Sequence, residues 1–88
     1  MRKVRYPHPG EILLEEFLVP KEISQRAFAA KLGWTATRLN ELIKGKRGIS
    51  ADSALDLAAA LATTAEVWMN LQAAYDLDAA QKRRKRAS

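Results

Sequence analysis

Apolar side chains recur along this chain at helical spacing, and no stretch alternates as a half-buried strand would. Ile12, Leu13, Leu14, Phe17 and Leu18 form one stripe, with Glu11, Glu15 and Glu16 turned to water. Pro9 suits the first position of that helix, where its missing N–H costs nothing, and Pro20 closes it by pushing the preceding residue out of helical geometry. Ser24 caps a second helix that runs through Leu32, with Ile23 stapled to Phe28 and Gly33 supplying the left-handed turn at its end. Thr35 caps a third, buried along Leu39, Leu42 and Ile43 and stopped by Gly45. Ser50, with Asp52 in the first turn, opens a fourth on Ala54, Leu57, Ala58 and Leu61. Thr63-Thr64-Ala65-Glu66 reads as a capping box for a fifth, on which Trp68, Leu71 and Tyr75 share a face. The pattern predicts an all-α fold of five helices in one domain.

Composition narrows what such a domain can do. Without cysteine there are no disulfides, thiolate zinc sites or cysteine nucleophiles. The single histidine, His8, is expected to abut the start of the first helix. No metal-ligand spacing or phosphate loop is present, and the carboxylates fall on solvated faces, so no catalytic residue, metal or cofactor is expected. No apolar run approaches the roughly 18 residues of a membrane span, and the first residues lead into no apolar signal core. A soluble cytoplasmic protein without membrane association is the expectation.

Charge is segregated rather than spread. The net value is +5, yet residues 21–49 carry seven basic and two acidic side chains. Residues 50–80 carry five acidic and no basic ones, and five cations follow between 82 and 86. A cationic segment points to a polyanion, and an acidic one to repulsion from it or to a basic partner. Residues 1–7 read as a basic N-terminal arm, 8–78 as the folded domain and 79–88 as a basic disordered tail.

Within the cationic segment, residues 25–44 have the spacing of a helix-turn-helix. Ala29 is the small residue that a crossing of about 90–120° needs, Gly33 makes the sharp turn, and Leu39 and Leu42 anchor the second helix. Opposite those leucines the third helix carries Thr37, Asn40, Glu41 and Lys44, with Ala36 and Arg38 flanking them. Asn suits adenine, Arg suits guanine, and Thr and Ala suit the thymine methyl. Gln25 and Arg26 open the second helix, where N–H groups can hold a phosphate, and Thr35 stands at the start of the third. Lys44, Lys46 and Arg47 would sit against the DNA backbone. One such motif reads only a few base pairs, so two are expected to act jointly on half-sites about 34 Å apart in a palindromic operator. Trp68, Leu71 and Tyr75 read first as simple core, and part of that face is the candidate self-association surface, since a small domain cannot hide every large side chain.

Ser24-Gln25, Ala29, Leu32-Gly33, Leu39, Gly45-Lys46-Arg47 and Ser50 resemble the lambda-repressor-like, or XRE, helix-turn-helix family. His8-Pro9-Gly10-Glu11, Gly45-Lys46-Arg47-Gly48-Ile49-Ser50-Ala51 and Trp68-Met69-Asn70-Leu71-Gln72-Ala73-Ala74-Tyr75-Asp76-Leu77 are similar to its HigA (VapI-like) antitoxin subgroup. The resemblance spans about residues 7–78. It implies a five-helix lambda-repressor-like fold, a homodimer, operator binding with repression of its own operon, and neutralisation of a small, basic, RelE-like mRNA-cleaving toxin. The acidic stretch would suit such a partner. Trp34 departs from the pattern, standing where the family commonly has a small or β-branched residue. A stand-alone XRE-type transcriptional regulator without a toxin is the alternative.

Overall fold

The computed structural model describes residues 5–87, which form five helices and no strand. Helix α1 begins as an α-helix over Pro9–Ile12 and continues in π-helical form over Leu13–Leu18. His8 caps it, its Nδ1 accepting the Gly10 N–H at 3.0 Å, and Pro9 occupies the first turn. The stripe on this helix was expected at α-helical spacing. The wider i→i+5 coil instead turns Leu13 and Leu18, five residues apart, into the interior together, and both are fully buried.

Serine and threonine set the starts of the next three helices. Ser24 Oγ accepts the Ala27 N–H at the head of α2 (Gln25–Leu32), and Thr35 Oγ1 accepts the Arg38 N–H at α3 (Ala36–Ile43). Ser50 Oγ accepts the Ser53 N–H at α4 (Ala51–Leu61). Gly33 lies at φ 75° between α2 and α3, a left-handed geometry that glycine adopts without strain. Helix α5 (Ala65–Ala87) departs from the capping box read at Thr63. Thr64 supplies its cap, accepting the Val67 N–H at 3.2 Å, while the Thr63 hydroxyl accepts the Trp68 indole N–H at 2.8 Å. A buried indole must have its N–H satisfied, and Thr63 meets that need.

The core gathers Leu13 and Leu18 from α1, Phe28 and Ala29 from α2, Leu39 and Leu42 from α3, Ala54 and Leu57 from α4, and Trp68 from α5. Of the two readings of the α5 stripe, Trp68 takes the core one. Trp68 has no exposed surface and lies 5.6 Å, ring to ring, from Phe17, so it belongs to the interior of one chain and not to a seam between two. Leu71 is half-buried against the same core, and Tyr75 stands edge-on to His8 at 4.9 Å.

The tail also differs from its reading as disordered over 79–88. Helix α5 continues to Ala87, and its 23 residues span about 34 Å, so its last turns project from the body. Alanines at 73, 74, 79 and 80 favour helix, Asp78 pairs with Lys82 at 3.0 Å one turn on, and cations at a helix C-terminus complement its dipole. Ser88 lies outside the described residues, as do Arg2 and Lys3 of the N-terminal arm. Arg5 of that arm forks onto Glu11 at 2.7 and 2.8 Å.

Helix α1 crosses the end of α3 with its backbone almost in contact. A Cβ on Gly10 would fall on the Leu42 carbonyl and 2.8 Å from the Ile43 Cα, both main-chain groups that no rotamer can move aside. Gly10→Ala should therefore lower unfolding stability by roughly 1–3 kcal/mol through overpacking. An unchanged urea midpoint would show that the two helices do not meet there.

Candidate nucleic-acid interface

The crossing of α2 and α3 leaves one face of α3 turned outward. Ala36 and Thr37 are exposed in its first turn, and Thr35 before them keeps a hydroxyl hydrogen while its oxygen caps the helix. Asn40 and Gln25 are half-buried and meet: the Asn40 amide donates to Gln25 Oε1 at 3.2 Å, which ties the start of α2 to the middle of α3. The Asn40 carbonyl and the Gln25 amide N–H groups remain for another partner. Arg26 stands exposed beside them.

The loop after α3 brings Lys44, Lys46 and Arg47 to the surface. Gly45 turns it at φ 77°, and the Lys46 N–H closes the helix on the Glu41 carbonyl at 2.8 Å. Arg47 folds back onto Glu41 at 2.9 Å. Arg26, Lys44 and Lys46 have no carboxylate partner among the described residues. Lys44 also edges a depression of about 470 Å³ shared with Gly45, His8, Tyr75 and Lys82, so the basic end of α5 begins beside the end of α3.

Of the ten residues expected to face DNA, Gln25, Asn40 and Arg47 already have partners within the chain, and so does Arg38. Its guanidinium lies 3.9 Å above the Trp34 ring and donates to Ser53 Oγ at 2.8 Å, so part of it is already committed within the chain. Trp34, Ser53 and Gln72 are the residues that sequence reasoning missed. Trp34 stands four residues before Arg38, the helical spacing of a side-chain pair, which was a usable signal. Gln72 had none: its Oε1 accepts the Ile49 N–H at 2.7 Å from 23 residues away, pinning the loop to α5, while its amide donates to Asp76 at 2.9 Å.

Comparison with known proteins agrees with this geometry. The helix-turn-helix family HTH_3 matches residues 14–68. Virulence-associated protein I of Dichelobacter nodosus is 45% identical over 75 residues, covering 85% of this chain and 69% of that protein. The structure of Pseudomonas aeruginosa antitoxin HigA with the higBA promoter aligns at a TM-score of 0.88 and 42% identity, over 94% of this chain and 90% of that one. PA4674 of the same organism, in complex with its 18 bp operator DNA, aligns at 0.89 and 41%, over 97% and 90%.

The loop after α3 rests against a titratable residue at the start of α1. His8 packs under Gly45 and against Tyr75, and burial lowers its pKa below the ordinary 6.5 despite the opposing pull of Asp76 and Glu11. The fold holds neutral imidazole, so as pH falls the unfolded chain takes up a proton before the folded one does. This share of stability is complete above pH 6.5 and is lost as pH drops from there toward the lowered folded value. His8→Asn keeps an acceptor for the Gly10 N–H and should flatten the fall in thermal midpoint between about pH 7 and 5. Parallel curves for the two proteins would remove His8 from that dependence.

Proposed function

Since the chain belongs to the XRE-like helix-turn-helix family HTH_3, alongside the HigA antitoxins, we propose that it is a cytoplasmic DNA-binding antitoxin that represses its own operon. The observation that carries this reading is the exposed first turn of α3 together with three exposed cations without carboxylate partners, Arg26 at the head of α2 and Lys44 and Lys46 just after α3. Unpaired cations release counterions from a phosphate backbone without first breaking an internal ion pair. Helix α3 enters the major groove, where Ala36 and Thr37 reach thymine methyls and the linked Asn40 and Gln25 present a donor and acceptor set. A homodimer binds the two halves of a palindromic operator. Its seam excludes Trp68, which is wholly interior.

The second activity is neutralisation of a small, basic, RelE-like ribonuclease. Residues 50–80 carry no cation, and Asp52, Asp56, Glu66 and Asp76 are exposed along them, a surface of the sign that attracts such a partner. Those groups lie on α4 and α5; Asp56 accepts the Trp34 indole N–H next to the head of α3, and Asp76 borders the cationic loop.

Salt dependence tests the DNA reading. Lys44→Ala and Lys46→Ala should each weaken binding about equally on selected and random DNA and flatten the log K against log salt slope by roughly one unit. Arg47→Ala should flatten it less, because Arg47 must first leave Glu41. Unchanged slopes in the two lysine variants would take the loop off the DNA.

A separate assay tests the antitoxin reading. The product of a short neighbouring reading frame for a basic protein should copurify with this chain, and coexpression should restore growth even with Thr37→Ala and Asn40→Ala in place. Growth arrest with that double variant folded and abundant would show that DNA reading and neutralisation share one surface. A toxin-free neighbourhood would leave a stand-alone regulator.

A further inference from the structure

The side chain at position 34 is wedged between two helices in a way that bears on how DNA is read. Trp34 is nearly buried, its indole N–H donates to Asp56 on α4 at 2.9 Å, and one ring face supports the Arg38 guanidinium. Ser53, buried on α4, accepts from Arg38 Nη2 at 2.8 Å and from the Ser50 hydroxyl at 3.0 Å, so both lone pairs of its oxygen are taken. Arg38 is thereby held by its face and by one nitrogen. Among the described residues, Ser53 is the one side chain its guanidinium donates to, and the residue is half-exposed in the first turn of α3.

An arginine in water loses rotamer freedom whenever it binds, but this one has lost it already on folding. Stacking uses the π face of the guanidinium and leaves its edge donors in their planar fork, which matches paired acceptors such as O6 and N7 of guanine. We propose that Trp34 is a positioning residue for sequence reading: stacked beneath Arg38, with Ser53 fixing one end, it aims the remaining guanidinium donors at a guanine edge. The inference rests on the DNA reading above and deepens it.

The test uses the full chain and two duplexes: the best 20 bp sequence that the native protein selects from a randomised pool, and a shuffled duplex of equal composition. Trp34→Leu removes the aromatic face and should cut the selected-to-shuffled affinity ratio roughly tenfold, while Trp34→Phe retains the face and most of the ratio. Ser53→Ala should lower the ratio several-fold. In an Arg38→Ala background, Trp34→Leu and Ser53→Ala should change it less than about twofold, because the group they position is gone. Equal losses with and without Arg38, or a Phe variant as poor as the Leu variant, would make Trp34 merely structural and overturn the proposal. Losses of equal size on both duplexes would place the guanidinium on phosphate and overturn it as well. If Trp34→Leu fails to fold, the Phe and Ser53 variants decide. Failure of the native protein to select any sequence would overturn the DNA reading itself, an outcome distinct from the other three.

Discussion

Helix α3 has eight residues, and a helix of that length has no stability of its own in water. Everything it can do at a surface depends on being held from the other side. Leu39 and Leu42 hold its inner face in the core, Gly10 lets α1 press directly on its last carbonyl groups, and Trp34 with Arg38 clamps its first turn to α4. The Asn40–Gln25 bond adds a fourth tie, to the head of α2. A reading helix needs this over-determination, since a base-edge hydrogen bond tolerates only a few tenths of an ångström of error. The other four helices act as the mount.

The motifs at the two ends of the domain are part of that mount. In His8-Pro9-Gly10-Glu11, histidine caps α1, proline starts it, glycine permits the close crossing, and glutamate holds Arg5. In the α5 motif, Trp68 fills the core, Gln72 grips the loop at Ile49, Asp76 orients Gln72, and Tyr75 meets His8. The two motifs converge beneath Gly45 and the cationic loop. Gly10 sets the approach of α1 to the end of α3, and Gln72 ties the loop to α5 through the Ile49 N–H.

This explains which parts of the molecule were legible in the chain. Caps, glycine turns and apolar stripes are local, each set by residues within four or five positions of one another, and all five helices were readable from them. Contacts across 15 to 23 residues were not: Arg38 with Ser53, Trp34 with Asp56, and Gln72 with Ile49 join elements whose mutual approach no periodicity encodes. The stripe of Trp68, Leu71 and Tyr75 was visible, but its spacing alone could not say whether it faced the chain's own core or another chain. A domain this small draws on every large apolar side chain it has, and Trp68 went inside. The run after Ala80 looked like a solvated tail because it lacks apolar residues. Helix propensity, an i,i+4 ion pair and the dipole suffice to carry a preceding helix through it, since elongation needs no new nucleus.

Charge on the outward surface divides into two kinds, and the division follows from who holds each group. Arg26, Lys44 and Lys46 are exposed and free of carboxylates, so they keep their rotamers and their counterions until a polyanion arrives. Such groups favour encounter with any phosphate backbone and carry no sequence information. Arg38, Asn40 and Gln25 are half-buried and already tied to partners, so little freedom remains for them to lose. Groups of that kind add little to attraction at a distance, but they penalise a base that fails to match their fixed donors and acceptors. The anionic stretch over residues 50–80, which begins directly after the loop, reinforces the arrangement. Its carboxylates repel a phosphate backbone from α4 and the first part of α5, while the cations at 82–86 on the last turns of α5 lie toward the end of α3.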